Sequence, residues 1–284
     1  MTRIDLHIHS TVSDGTDTPS ELMHNAAAAG LDVVALTDHD SSAGWAEAAG
    51  TARTLGITLL PGMELTTALG SNVIHVLGYL FDPDDPALRS ETERITTDRY
   101  TRAKRIVDLI NREYPLSWDD VLHQTVVGTT IGRPHIADAL VAKGYVPDRP
   151  TAFADLLSPR SRFYVPHYAP DPLTGVRLIR NAGGVPVLAH PATATRGRAV
   201  DENYLARLVR AGLYGLEVDH RENTEPGKDW LKSQARLYGL VQTGSSDYHG
   251  RGKANRLGEN LTSAAVLEQI VHEGTGYAVP ASRR

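Results

Sequence analysis

The chain alternates short apolar runs with longer stretches in which apolar residues recur every three or four positions. Seven of the short runs are rich in Val, Ile and Leu, and each ends in a charged or histidine-bearing turn. Their length and composition are typical of β-strands. They lie at residues 4–9, 31–40, 57–65, 72–80, 184–191, 214–220 and 239–249.

Helical patterns with clear end signals separate several of these strands. The stretch TPSELMHNAAAAG offers Thr18 as N-cap, Pro19 in the first turn, Glu21 to complete a capping box and Gly30 as the stop. Strand and helix therefore alternate, which predicts parallel strands joined by helical crossovers, in a barrel or in an open doubly wound sheet. Seven strands fit closure into a barrel. The other predicted helices cover residues 42–56, 171–184, 201–212, 226–239 and 263–274.

A helical insertion interrupts this rhythm between residues 83 and 164. Its apolar residues recur at helical spacing, and no convincing strand pattern occurs in it. We therefore expect residues 1–82 and 165–284 to form one barrel domain, with residues 83–164, called the cap below, folded over it to select the substrate.

The composition fits one large soluble domain. Of the 284 residues, 41% are hydrophobic and 22% charged, and the formal net charge of -5 offers no broad positive field that would attract nucleic acid. The chain has no cysteine, which excludes disulfides, thiolate metal sites and cysteine nucleophiles. The N-terminus does not resemble a signal peptide, and no run of about 18 apolar residues occurs. We expect a cytoplasmic protein with no membrane association and no obligate protein partner.

Histidines and carboxylates gather at the ends of the predicted strands. In parallel α/β barrels the carboxyl ends of the strands form the active face, so these side chains are expected to converge. His7 and His9 are two residues apart and leave one strand face together, while Ile4, Leu6 and Ile8 leave the other. Nitrogen and oxygen donors without sulfur suit Zn²⁺, Mn²⁺ or Fe²⁺, and Mn²⁺ is favoured as carboxylates become more numerous. The strand-end residues are His7, His9, His39, His75, His190, His220, His249, Glu64, Glu217 and Asp247.

Each of these residues taken alone has an ordinary structural explanation. An H-x-H pair also occurs on half-exposed strands, Asp14 could form an Asx-turn before Gly15, His75 could be a packed strand histidine, and Glu64 could cap a turn. The ordered series of motifs is what favours an ion site.

This series resembles the PHP (polymerase and histidinol phosphatase) metallophosphoesterases. The resemblance implies an α/β fold, a distorted (β/α)7 barrel of seven strands with a helical insertion, and two or three divalent ions at the carboxyl ends of the strands. The matching segments are HIHS-x-x-SDG (7–15), TPSEL (18–22), GLDVVALTDHD (30–40), PGMEL (61–65), IHVLGY (74–79), AHP (189–191), GLEV (215–218) and GSSDYHG (244–250).

By position, the resemblance also implies which residues hold each ion. Asp5 is left over, and we expect it to orient a ligand imidazole through a hydrogen bond. His220 is at most a substrate contact, because its segment departs from those of the relatives. The three implied sites are His7, His9, Glu64 and Asp247; Glu64, His75 and His190; and Asp14, His39 and His249.

The reaction that this centre implies is hydrolysis of a phosphate ester by a metal-bound hydroxide. Asp247 and His249 are the side chains expected to handle protons. The sequence contains no Walker A loop and no G-x-S-x-G segment, so a P-loop NTPase and a serine esterase lack support.

The cap is expected to supply the substrate contacts. Arg133 and His135 start a predicted helix, where backbone N–H groups also favour anions, and a similar R-P-H segment contacts substrate phosphate in the nucleoside bisphosphate phosphatases of the family. An ordinary capped surface helix is the alternative. Those relatives also carry a lysine before the Y-V strand, whereas this chain reads PRSRFYVPHY, so Arg160 or Arg162 is the expected replacement and His167 a further contact.

The expected activity is removal of the 3′-phosphate from a nucleoside 3′,5′-bisphosphate, extending to short 5′-phosphorylated RNA. A cyclic phosphodiesterase and a histidinol phosphatase are the alternatives within the family. An inactive metal-binding module is the alternative outside catalysis, and the complete ligand set opposes it.

Overall fold

The computed structural model describes residues 2–70, 72–126, 128–194 and 197–277. The strands in these ranges are β1 (Ile4–Ile8), β2 (Val33–Leu36), β3 (Thr58–Leu69), β4 (Asn72–Tyr79), β5 (Val185–Leu188), β6 (Ala192–Thr193), β7 (Gly197–Arg198), β8 (Gly215–Asp219) and β9 (Val241–Gly244). Seven of them form one sheet in the order β1-β2-β3-β4-β5-β8-β9, and β6 pairs with β7 in a separate hairpin. The sheet curls into a nearly closed barrel, which confirms the predicted α/β barrel.

Helices follow most of the strands, as the sequence predicts. The predicted capping box of α1 is present: Glu21 N donates to Thr18 Oγ1 at 3.2 Å, and Thr18 N donates to the Glu21 carboxylate at 2.9 Å. The helices are α1 (Pro19–Ala28), α2 (Trp45–Leu55), α3 (Pro86–Ile110), α4 (Trp118–Leu122), α5 (Arg133–Ala142), α6 (Arg149–Ala154), α7 (Pro172–Asn181), α8 (Glu202–Ala211), α9 (Glu225–Tyr238) and α10 (Ala264–Glu273).

The expectation of parallel strands throughout the sheet is wrong at β4. This strand pairs antiparallel with β3, from Gly62 opposite Tyr79 to Leu69 opposite Asn72, and antiparallel with β5 on its other side. The reason is the length of the connection, because a parallel crossover needs about a dozen residues and the predicted strands 57–65 and 72–80 leave too few between them.

Strand β1 does not alternate as regularly as its sequence suggests. Its pairing register with β2 shifts between Asp5 and Ile8. Ile4 and Leu6 lie in an apolar cluster built from strand residues and α10, whereas Ile8 lies in the larger cluster between the sheet and the surrounding helices. The expectation that Ile4, Leu6 and Ile8 share one face is therefore wrong.

Strands β1 and β9 are the two ends of the sheet, and isolated hydrogen bonds join this edge of the barrel. His9 N donates to the Tyr248 carbonyl at 2.9 Å. The buried Asp5 carboxylate accepts from Ser246 N at 3.0 Å and from Gly258 N at 2.9 Å. Backbone amides that a complete ladder would satisfy are thus satisfied here by a side chain.

In the described part of the cap, every regular element is a helix. Its helices enclose an apolar cluster of their own, to which Ile106, Val121, Ile136, Leu140 and Phe163 contribute. The cap also contacts the loop after β1, where Thr130 N donates to the Val12 carbonyl at 2.8 Å.

None of the helices in the described residues combines the length and the apolar composition that crossing a bilayer requires.

Candidate metal centre

The nine predicted metal ligands lie together. Eight of them form overlapping groups in which one ligand atom of each residue lies within 4.8 Å of the others. The first implied site recurs with its predicted ligands, and the site of Asp14, His39 and His249 recurs with His9 added. A further group combines Glu64 and His75 with His39, and His190 lies next to the same carboxylate. The three groups are His7, His9, Glu64 and Asp247; His9, Asp14, His39 and His249; and His39, Glu64 and His75.

The Glu64 carboxylate lies at the centre of these groups. It is buried on β3, and its two oxygens face different imidazoles, so it can bridge two ions. Oε1 lies 2.9 Å from His75 Nδ1 and 3.1 Å from His190 Nε2. Oε2 lies 3.2 Å from the Nε2 atoms of His7 and His9 and 3.3 Å from His39 Nδ1.

Several buried ligand atoms in this pocket make no hydrogen bond with the described residues. Such atoms are rare in proteins because each lost hydrogen bond costs about 1 to 3 kcal/mol. Imidazole nitrogens and carboxylate oxygens clustered this closely are the donor set of cations. The residues therefore fit divalent metal ions. The atoms are His7 Nε2, His9 Nε2, His39 Nδ1, His75 Nδ1, His249 Nε2 and Asp247 Oδ1.

The carboxylates of the pocket are ionised. Burial opposes the ionisation of Glu64, but the imidazoles of His75, His39 and His7 hold the pKa of Glu64 well below its usual value. Burial also opposes the ionisation of Asp247, and there the ammonium of Lys253 is the largest of the groups that lower the pKa. Ionised carboxylates are the form that binds metal.

Two ligands sit at strained backbone positions. His190 has a φ of 28° and Asp247 a φ of 53°, in the left-handed region that non-glycine residues rarely adopt. Asp40, next to His39, has a φ of 54°. Strain of this kind clusters at functional sites, where the surrounding structure maintains it.

Glu217 orients two of the ligands, although the sequence assigned it no role beyond its strand-end position. Its Oε1 lies 2.9 Å from His7 Nδ1, and its Oε2 accepts from His190 N at 2.8 Å. Burial opposes its ionisation, yet His7 and His220 lower the pKa of Glu217 to about 2. The bond at Nδ1 leaves His7 Nε2 free to bind an ion.

Asp5 does not have the partner that we expected. It binds backbone amides at the barrel edge rather than a ligand imidazole, and Glu217 performs the orienting role instead. Burial raises the pKa of Asp5 to about 6.

The second oxygen of Asp247 faces two residues that carry N–H groups. Lys253 Nζ lies 2.6 Å from Oδ2, and His220 Nε2 lies 3.6 Å from it. The His220 Nδ1 accepts from Glu222 N at 3.1 Å, so the neutral ring carries its proton on Nε2, which disfavours it as a metal ligand. The sequence analysis missed Lys253, for which only its place shortly after SDYH gave a signal.

His249 faces the pocket with one nitrogen and the backbone with the other. Its Nδ1 lies 2.9 Å from the Asp247 carbonyl, which can only accept, so Nδ1 carries the proton. Its Nε2 lies 3.1 Å from Asp14 Oδ1. This geometry favours ion binding by His249.

Two of the predicted substrate contacts, Arg133 and His167, lie with Arg99 and Arg102 in a cationic cluster beside the metal centre. Burial and the charges of Arg102, Arg99 and Arg133, together with His75, lower the pKa of His167 to about 3. Arg133 also donates from Nη1 to the Leu157 carbonyl at 3.0 Å.

The other two predicted contacts have structural partners instead. His135 is buried, its Nδ1 accepts from Gly132 N at 3.0 Å, and its ring has a hydrogen-bonding contact with the backbone of Ser13. The exposed guanidinium of Arg162 pairs with Glu113. Their role in substrate binding stays a prediction.

Comparison with known proteins places this geometry in a family. The model of the PHP domain matches residues 5–137. The chain is 34% identical to the 3′,5′-nucleoside bisphosphate phosphatase of Chromobacterium violaceum over 257 residues, which are 90% of each chain. It is 31% identical to the 5′-3′ exoribonuclease of Haemophilus influenzae over 260 residues, 91% of this chain and 94% of that one.

A solved structure shows the same fold. The crystal structure of a protein from Bifidobacterium adolescentis, described as a metal-dependent phosphoesterase, superimposes with a TM-score of 0.94 at 40% identity. The match covers 96% of this chain and 97% of that one.

Proposed function

The chain belongs to the PHP family and is a metal-dependent phosphoesterase, and on that premise we propose that it removes the 3′-phosphate from a nucleoside 3′,5′-bisphosphate. The observation that carries the proposal is the cationic cluster of Arg99, Arg102, Arg133 and His167 beside the metal centre. A substrate with two phosphates can place one at the ions and the other in this cluster.

The cluster has the electrostatics of an anion site. Burial and the neighbouring charges of Arg133 and Arg99 lower the pKa of Arg102 to about 10. Burial and the neighbouring like charges disfavour the charged form of Arg102, and a bound phosphate would favour it. The cluster also adjoins the N-terminus of α5, where the helix dipole favours an anion.

Divalent ions bound at the centre would activate a water molecule and offset charge on the phosphoryl oxygens. Around them, Glu217 holds His7 and the His190 backbone in place. Lys253 holds Asp247 by Oδ2, which leaves Oδ1 directed at the imidazoles of His7 and His9, 3.4 and 3.3 Å away.

Proton handling is better assigned to Asp247 than to His249. The Nδ1 atom of His249 is bound to a backbone carbonyl, and its Nε2 faces Asp14 Oδ1 in the ion group, where it would serve as a metal ligand. The Oδ2 atom of Asp247 accepts a hydrogen bond from the Lys253 ammonium. The carboxylate can therefore pass a proton to or from a group bound in the pocket.

We favour Mn²⁺ as the physiological metal, ahead of Zn²⁺ and Fe²⁺. Three carboxylates, those of Asp14, Glu64 and Asp247, serve the overlapping groups together with the imidazoles. Carboxylates among the donors shift preference from zinc toward manganese.

A second candidate substrate is the 5′ end of a short RNA. A relative named as an exoribonuclease supports it, and so does a groove of about 430 Å³ beside Asp40. The groove runs along α3 and is lined by threonine hydroxyls and by the ring of Tyr100, which is 41% exposed. Arg99 Nε lies 3.0 Å from Asp40 Oδ2, so the groove continues from the cationic cluster and could hold a nucleoside.

A substrate panel tests these proposals. The purified protein, loaded with Mn²⁺, Zn²⁺ or Fe²⁺, would be assayed for phosphate release and for products by mass spectrometry. The panel would contain 3′-phosphoadenosine 5′-phosphate, adenosine 3′-monophosphate, 5′-phosphorylated trinucleotides, a cyclic nucleotide and histidinol phosphate.

We expect the highest kcat/KM with the bisphosphate, and the 5′-monophosphate as product. Equal kcat/KM for the bisphosphate and the 3′-monophosphate would refute a second phosphate in the cationic cluster. Preferred turnover of a cyclic phosphate or of histidinol phosphate would replace the proposed substrate.

A further inference from the structure

The loop that carries Asp14 is bound by the cap along its whole length. Four consecutive backbone groups, from Thr11 to Asp14, contact cap residues. Thr129 Oγ1 donates to the Thr11 carbonyl at 2.8 Å, and Thr130 N donates to the Val12 carbonyl at 2.8 Å.

The remaining two contacts come from charged or titratable side chains. His135 contacts the backbone of Ser13, and Arg149 Nη1 donates to the Asp14 carbonyl at 3.2 Å. Arg149 lies at the start of α6, and its guanidinium is held by Asp138 of α5 through two bonds of 2.5 Å. Asp138 therefore fixes the position of the Arg149 guanidinium that contacts the loop.

Arg149 also packs against the segment that follows His249. A methyl group added at Gly252 would collide with Nη1 of Arg149, so this glycine leaves the space that the guanidinium occupies. Asp14 and His249 belong to the same candidate ion group and lie 3.1 Å apart. A single cap residue thus touches two of the three loops that supply this group, the third being the loop of His39.

We propose that Arg149 is a positioning residue for the ion site formed by His9, Asp14, His39 and His249, so that the cap completes the metal centre and does not only cover it. The inference rests on the metal-dependent activity but not on the identity of the substrate. Arg149 acts through the Asp14 carbonyl and the Asp138 carboxylate, and it is not itself a ligand.

The alternative is that Arg149 only joins α5 to α6 through Asp138. The two explanations differ in what happens to metal binding. If Arg149 only joins helices, its loss weakens the fold of the cap and affects all ions alike or none. If it positions Asp14, one ion is lost while the others remain.

The test compares metal binding in four full-length proteins: wild type, Arg149→Met, Arg149→Lys and the control Arg112→Met. Methionine keeps much of the length but donates no hydrogen bond, lysine keeps one donor, and Arg112 is an exposed arginine of the same cap. Bound Mn²⁺ per chain would be measured by elemental analysis and by titration calorimetry, with circular dichroism to check the fold.

We expect Arg149→Met to bind one ion about ten- to a hundredfold more weakly and the others normally, the range seen when a residue that orients a metal ligand is removed. Arg149→Lys should lie between this variant and wild type, and Arg112→Met should match wild type. Unchanged stoichiometry and affinities in Arg149→Met would overturn the proposal, as would an equal weakening of every ion.

If Arg149→Met does not fold, Thr129→Val decides the question, because it removes the hydrogen bond to the Thr11 carbonyl together with one local bond from Val126 N. Selective weakening of one ion in that variant supports the proposal, and wild-type binding overturns it. These measurements need no substrate, so their failure is distinguishable from failure of the proposed function.

Discussion

Replacement of Glu217 by glutamine probes how the centre is oriented, because it changes charge and hydrogen bonding while leaving the shape of the side chain. The carboxylate accepts from His7 Nδ1 and from His190 N. An amide has one oxygen, so in either orientation one of these two donors faces an NH₂ group. If that donor is His7, its proton is driven to Nε2, and the nitrogen that faces the ions is lost as a ligand.

The cost can be worked from the pKa of Glu217, which folding lowers from 4.5 to about 2. At about 1.4 kcal/mol per unit, this shift corresponds to stability on the order of 3 kcal/mol. Because the pKa is lower in the folded state, the contribution is complete above about pH 4.5 and disappears as the pH falls toward 2. We expect Glu217→Gln to lose stability of this order at pH 7.

The assay has two parts. Urea unfolding of chelator-treated protein at several pH values gives the difference in stability between wild type and Glu217→Gln. This difference should be constant above about pH 5 and become smaller below it. Titration with Mn²⁺ should show about ten- to a hundredfold weaker binding. The exposed residue Glu268 offers a matched control, since Glu268→Gln removes the same charge from α10. Wild-type metal affinity in Glu217→Gln would refute the orienting role, even if stability falls.

Four other outcomes are expected. His9→Ala should lower kcat by about a thousandfold or more, since ions contribute several kcal/mol to such reactions, while circular dichroism stays unchanged; a fall of less than tenfold would remove His9 from the ligand set. Arg133→Ala should raise KM for the bisphosphate about tenfold with little change in kcat, and steady-state kinetics on the 3′-monophosphate should show no such effect. His167 should remain neutral at pH 5, which NMR can measure. Because its pKa is depressed in the folded state, the unfolded chain binds the proton first as the pH falls. Chelator-treated wild type should therefore lose more stability than His167→Gln between pH 6.5 and 4. Chelation should lower Tm, and Mn²⁺ at a hundred times its Kd should restore about 3 kcal/mol; a Tm indifferent to both would contradict a folded-state ion site.

The sequence predicts which side chains converge, because strand ends are easy to locate. His7, His39, His190 and Asp247 follow apolar runs, and a barrel brings the ends of such runs together whatever the details of the pairing. Their convergence therefore depends only on the order of the elements.

Features that depend on local backbone geometry could not be predicted from the sequence pattern. The irregularity in β1 that separates Ile8 from Leu6 leaves no mark on an alternating sequence. The antiparallel pairing of β4 could have been inferred from the short connection, but periodicity alone gives no strand direction.

Residues of the cap show the same limit. Arg133 and His135 are two positions apart at one helix start, yet one lies in the cationic cluster and the other binds the backbone of the barrel loop. Arg149 carried no motif at all. Tertiary packing decides which of several arginines faces a site. The spacing of residues along the sequence does not predict it.

The side-chain closure of the barrel between its first and last strands bears on how the protein matures in the cell. Asp5 and Ser246 are 241 residues apart in the chain, and the ligands fall on both sides of that junction. During synthesis the N-terminal histidines leave the ribosome long before Asp247 and His249 exist, so the two ion groups that contain these residues can assemble only after translation has passed them. Metal occupancy would then serve as a late checkpoint that distinguishes finished molecules from truncated ones.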